Sequence, residues 1–181
     1  TWERVAGRKP FLEQSPHGDG SDYDTGELIP ANRPVVRNDE LWFYYGGYRY
    51  RNASQAQTFA REYLDSSAIC LAKLRLDGFC SLKGGIEPGS VLTKKIEVDG
   101  SRLHLNVNSW RGHVAAELLD AEENRTLPGY SREECVSLRV NQIGTSIRWK
   151  TRADLSELRG KTIRVRFSLL NAELYAFWFG D

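Results

Sequence analysis

The sequence predicts an all-β chain: a propeller-blade-like antiparallel unit, residues 1–87, packed on a jelly-roll-like β-sandwich, residues 88–181. Three observations predict it. Asp-Tyr-Asp-Thr-Gly at Asp22–Gly26, followed by the aromatic run Pro34–Gly47, reads as one blade of a β-propeller. Val35–Arg37 and Leu41–Tyr45 flank Asn38-Asp39, a turn pair that closes a hairpin. From Ser90 onward, short stretches alternate apolar and polar residues at regular spacing, the pattern of a sandwich.

Along the first unit, residues up to about Arg33 are rich in Gly, Pro, Asp and Ser, with strands expected at Trp2–Val5 and Gly26–Ile29. After the Asn38-Asp39 hairpin comes a polar excursion, Arg49 to Asp65, with a helical turn expected at Ala56–Tyr63. Ile69–Leu76 and Phe79–Leu82 are expected to pair across Asp77-Gly78, and the Gly/Pro punctuation of Gly84–Gly89 closes the unit. In the second unit, Leu92, Ile96 and Val98 form one apolar set. Leu103, Leu105 and Val107 form another, then Ile147 and Trp149, then Ile163, Val165, Phe167 and Leu169. A period of two places each set on one sheet face, so two sheets bury these faces against each other. Asp154–Arg159 reads as a helical turn with Asp154 as its cap. The apolar run Leu174–Phe179 is placed at a sheet centre or against the first unit.

Composition narrows the function classes. Hydrophobic residues make up 40% and charged residues 27% of 181, with a formal charge of +1. Those are ordinary values for a soluble globular chain, and interspersed charge leaves no footprint for nucleic acid. No apolar run approaches the ~20 residues that span a bilayer, so no membrane partner is expected. With no methionine, Thr1 is not an initiator, and the expectation is a partial or processed chain. Cys70, Cys80 and Cys135 are odd in number. The Asp77-Gly78 hairpin would set Arg75 opposite Cys80 and leave Cys70 roughly 17 Å away at strand rise. That exceeds the ~7 Å limit for a disulfide, so no Cys70–Cys80 bridge is expected. Asn52-Ala-Ser and Asn124-Arg-Thr are N-glycosylation sequons in loop-like context.

The order Trp2, Pro10-Phe-Leu, Asp22–Gly26 and Pro34–Gly47 resembles the last blade of five-bladed propeller glycoside hydrolases, the invertase-like and arabinanase-like enzymes. The continuation through Ile69–Leu82, Leu103–Asn108, Glu117–Ala121 and Ala172–Phe177 is similar to the region that follows the propeller in the invertase-like group. The resemblance implies a secreted, carbohydrate-active protein, of which these residues supply the cleft rim and the sandwich. It also implies catalytic carboxylates on earlier blades, held at a fixed separation across the scissile bond. No segment here matches those blades. Glu133-Glu134-Cys135 resembles the Glu-Cys pair near the acid of invertases, but it falls inside the sandwich and is expected to be coincidence. A non-catalytic, lectin-like chain is the alternative, and a structural or interaction module is the plainer one. The expected partner is carbohydrate, with either a larger N-terminal propeller portion or further copies of the chain.

Asp22, Tyr23 and Asp24 are candidate sugar contacts, two carboxylates beside an aromatic platform. The plainer alternative, which the loop-like context favours, is an Asx-turn cluster fixing an irregular loop. Trp110 and Arg111, expected at a hairpin tip, are the second candidate: an exposed indole offers a flat apolar surface to a pyranose ring. His104, Asn106, Asn108, Arg148, Lys150, Arg164 and Arg166 are expected to face outward, as a ligand surface or as a solvated sheet face. Arg75 and Asp77 are expected to brace their turn. No His/Cys/Asp cluster has metal-ligand spacing, and no phosphate or dinucleotide loop is present, so no cofactor is expected.

Overall fold

The computed structural model describes residues 9–16, 22–51, 66–152 and 154–181. The expected strand at Trp2–Val5, the helical turn at Ala56–Tyr63 and the Asn52 sequon lie outside these residues. The chain is all-β, with antiparallel pairing throughout, and divides into two compact units, Thr1–Leu76 and Asp77–Asp181.

The first unit is a sheet built around one long strand. Its elements are β1 (Glu27–Pro30), β2 (Val35–Arg37), β3 (Glu40–Tyr48) and β4 (Ser67–Arg75). β4 pairs with β3 along its whole length, from Glu40 opposite Arg75 to Tyr48 opposite Ser67. The other edge of β3 is shared: β2 covers Glu40–Trp42 and β1 covers Tyr45–Tyr48. The Asn38-Asp39 turn forms as expected, with Asn38 at φ 54°, a left-handed conformation that asparagine tolerates. Alternation gives the sheet two unlike faces. Leu41, Phe43 and Tyr45 share one with Leu74, Ala72 and Cys70. Trp42 and Tyr44 share the other with Ile69, Leu71, Ile29 and Val35, and this face is largely exposed. Lys73 and Arg37 each lie over the Trp42 ring, 4.4 and 4.5 Å from its centroid.

The hairpin expected across Asp77-Gly78 does not form. β4 ends at Arg75, and the Leu76 amide donates to Asp39 O. The next strand, β5 (Leu82–Gly84), pairs instead with the last strand of the chain, so it belongs to the second unit. Gly84 permits this, because a Cβ there would press into the Leu169 backbone. Cys70, Cys80 and Cys135 are all free thiols.

The second unit continues with β6 (Gly89–Leu92), β7 (Ile96–Glu97), β8 (Arg102–Asn108), β9 (His113–Asp120), β10 (Asn141–Ile147), β11 (Thr162–Leu170) and β12 (Ala172–Gly180). One sheet has the order β10-β8-β12-β5. In the other, β11 pairs with β9 on one edge and with β6 and β7 on the opposite edge. The two sheets share one core. Leu103, Leu105, Val107, Ile147 and Leu174 come from the first, and Val114, Leu118, Ile163, Val165, Phe167 and Leu169 from the second. Each such side chain, fully buried, contributes about 1.5–3 kcal/mol before the cost of ordering the chain. A 3-10 turn spans Ser156–Leu158 with Leu155, not the expected Asp154, at its cap position and no side-chain cap; Asp154 Oδ1 still accepts from the Ser156 amide at 3.0 Å.

Two expectations about side-chain direction are corrected. Leu92 is exposed, and its neighbour Val91 packs on the core, because β6 meets β11 one residue out of the expected phase. Asn106 is completely buried instead of outward-facing. Its strand runs between two irregular ones, with register shifts at Gln142/Thr145 in β10 and Leu174/Ala176 in β12. Both lie at the level of Asn106, where bulges re-aim the neighbouring side chains.

Candidate functional site

Antiparallel pairing aligns four polar residues in a row across the end of one sheet. Asn141 of β10 pairs with Asn108 of β8, Asn108 with Glu173 of β12, and Glu173 with Lys83 of β5. Cross-strand partners share a face, so the row forms one wall of an open groove of about 700 Å³. Glu173 is held from two sides: Oε1 lies 4.0 Å from Lys83 Nζ, and Oε2 accepts from the Tyr175 hydroxyl at 2.9 Å. The Asn171 link between β11 and β12 contributes a further lining residue, with φ 43° and its amide donating to Gly85 O.

The rim is made by Trp110 and Arg111. They stand where the chain leaves β8 for β9, but those strands lie in different sheets, so the expected hairpin tip is an arch between the layers. Ser109 fastens the arch. Its buried hydroxyl donates to Leu138 O at 2.9 Å and accepts from the Val140 amide at 3.0 Å, while its own amide donates to Val140 O. Gly112 N–H closes the turn onto Ser109 O, and Gly112 sits so close to Leu170 that a Cβ would overlap the Leu170 carbonyl. Asn108 Oδ1 accepts from the Trp110 amide at 3.4 Å, and Arg139 Nε donates to Trp110 O at 3.1 Å. The backbone is therefore pinned while the indole remains 68% exposed.

The other predicted site belongs to the first unit. Asp22 is exposed, and the Tyr23 ring carries the Arg49 guanidinium 4.4 Å from its centroid. Asp24 is buried and accepts a 2.7 Å hydrogen bond from the Tyr45 hydroxyl. Hydrogen bonding from Ser15, then Tyr45, outweighs burial and holds its carboxyl below the ordinary value. Burial, reinforced by the Asp24 carboxylate, pushes the Tyr45 hydroxyl well above its own. Asp24 lies so close to β3 that a Cβ on Gly47 would meet both it and Cys70 Sγ. This trio thus braces the sheet through Asp24 and leaves Asp22 at the surface.

In the second unit, on the outer face of the β10-β8-β12-β5 sheet, His104 stacks on Trp178 with ring centroids 5.5 Å apart, and its Nδ1 lies 3.2 Å from Ser146 Oγ and from Gly144 O. Asn124 is exposed in a turn with φ 54°, its sequon Thr126 donating to Glu117 Oε2. Cys135 is buried in the core and accepts from the Ala116 amide. Arg75 ends β4, and Asp77 has a left-handed φ of 55°. Among the described residues no cluster of three His, Cys, Asp or Glu side chains is arranged to hold a metal ion.

Lys83, Asn141, Asn171 and Glu173 did not stand out in the sequence. They come from three separate segments, Lys83, Asn141 and the Asn171–Glu173 stretch, and only strand order gathers them. Compared with known proteins, the chain matches no family model, no curated protein and no solved structure.

Proposed function

We propose that this chain binds carbohydrate, and that Trp110 is the stacking platform. The observation that carries the reading is the combination at the groove: an exposed indole on a pinned arch, above a row of amide, carboxylate and ammonium groups. Sugars present two opposed needs, an apolar C–H face and a ring of hydroxyls. A flat aromatic serves the first and fixed donors and acceptors serve the second. Pre-ordering by Ser109, Asn108 and Arg139 reduces the entropy lost on binding.

The resemblance to propeller glycoside hydrolases supports placing this binding unit in a secreted carbohydrate-active protein. In that reading the first unit is a terminal blade, the second a jelly-roll-like sandwich, and the catalytic carboxylates lie outside these residues. A retained lectin-like role is the alternative, and it uses the same groove. A second observation favours a partner for the first unit: the face bearing Ile29, Tyr44, Ile69 and Leu71 is apolar and exposed, and monomers rarely leave such patches uncovered.

The test is titration of the purified chain with a panel of oligosaccharides, followed by tryptophan fluorescence and calorimetry. Saturable binding is expected, falling to background in Trp110→Ala. Unchanged affinity in that variant would remove the groove from the binding site, and no binding across the panel would end the carbohydrate reading.

A further inference from the structure

Resting on that reading of the groove, we infer that its preferred ligand is an acidic saccharide, one carrying a carboxylate or a sulfate ester. The chain as a whole is nearly balanced, with 25 basic and 24 acidic side chains. The groove is not. Lys83 and Arg111 line it, and Arg139 stands beside it, holding the Trp110 carbonyl. Among the described residues Glu173 is the single carboxylate in the lining, and both its oxygens already have partners in Lys83 and the Tyr175 hydroxyl. Three cations against one anion leave a local excess of positive charge.

The cations differ in availability. Lys83 is 74% exposed, and its contact with Glu173, at 4.0 Å, is at the outer limit of an ion pair, so solvent screens it heavily. Arg111 is exposed and makes no ion pair among the described residues. Its guanidinium presents paired N–H donors that match a carboxylate or sulfate in a two-pronged contact, which an ammonium cannot reproduce. It is also the residue that follows Trp110 on the same pinned arch. A ring lying on the indole therefore has a cation beside it, and an acidic substituent on that ring or its neighbour would be met by Arg111, with Lys83 adding attraction from the groove wall. Neutral sugars would gain only the stacking and the amide contacts.

The experiment compares an oligogalacturonide with its carboxyl-reduced, neutral counterpart and with a sulfated oligosaccharide of similar length, at low and high salt, in wild type, Arg111→Gln and Trp110→Ala. Wild type is expected to bind an acidic ligand at least about tenfold more tightly than the neutral one. That preference should shrink as salt rises, because exposed charges are screened. Arg111→Gln should weaken acidic binding far more than neutral binding and so collapse the preference, whereas Trp110→Ala should weaken both by similar factors. Comparison of the uronate and sulfate arms identifies which acid the groove takes. Equal affinity for acidic and neutral ligands would overturn the acidic preference while leaving the groove as a sugar site. Absence of binding to all three ligands would overturn the sugar site itself.

Discussion

The Asp24–Tyr45 contact joins an irregular loop to the central strand of the first unit. Asp24 is a nearly buried carboxylate, and its hydrogen bonds from the Tyr45 and Ser15 hydroxyls offset the cost of burial. Tyr45→Phe is expected to cost about 1.5–3 kcal/mol, the range for a hydrogen bond to a charged group, measured by urea unfolding at neutral pH. The pH dependence has a definite sign. Because the folded state holds Asp24 below its ordinary value of 3.8, its contribution is whole above that value and is lost as pH falls through the lowered one. The stability gap between wild type and Asp24→Asn should therefore be widest near neutrality and close below pH 3.8. Glu40, Asp120, Asp154 and Asp181 are also held low, but they are common to both proteins and cancel in the difference. A gap that persists unchanged into acid would show that Asp24 acts through packing alone. The sequence singled out Asp22–Asp24 and weighed an Asx cluster against sugar contacts. The bond to Tyr45 spans 21 positions and depends on the fold, so no local pattern could display it.

At the scale of elements, the sequence displays faces far better than partners. Alternation identified the inward residues of β8 and β11, and these are buried as expected. It carries no information about which strand lies alongside. Hence proximity along the chain pairs an expected strand at Phe79–Leu82 with Ile69–Leu76, whereas the strand that forms is β5, Leu82–Gly84, and it joins β12; likewise the Trp110 turn reads as a hairpin but crosses between sheets. Asn106 escaped for a related reason: bulges on its two neighbours break the simple rule that alternate residues face solvent. The arch makes a sharp contrast between two residues only two positions apart. Trp110→Ala removes an exposed side chain and should change unfolding free energy by less than about 0.5 kcal/mol. Gly112→Ala puts a methyl against the Leu170 backbone and should cost about 1–3 kcal/mol, the usual price of overpacking, because a backbone carbonyl cannot swing aside as a side chain would. Chemical denaturation of the two variants side by side checks both values. Equal stabilities would mean that the arch yields and is not the rigid mount on which the groove depends.

At the scale of the molecule, the first unit poses a problem that the second does not. The second buries a shared core between two sheets. Among the described residues the first has one sheet, and only one of its faces carries buried side chains from β3, Leu41 and Tyr45. On the opposite face Ile69 is 85% exposed, beside Ile29, Val35, Tyr44 and Leu71. Arg37 and Lys73 shield Trp42 at one end, as charged residues often shield sheet surfaces, but they do not extend over Ile69. Water against such a face costs free energy in proportion to area, and a second sheet would recover it. The chain is therefore expected to be other than a lone 20.6 kDa monomer, and sedimentation at micromolar concentration should report a larger species. Ile69→Lys places a charge at the centre of that face and should shift the distribution toward monomer. Because Ile69 touches solvent already, the same substitution should leave the midpoint of thermal unfolding nearly unchanged once the two are compared as monomers. If the unaltered chain sediments as a stable monomer, the face needs no cover, and the resemblance to a propeller blade, whose sheets stack on neighbours, loses its physical support.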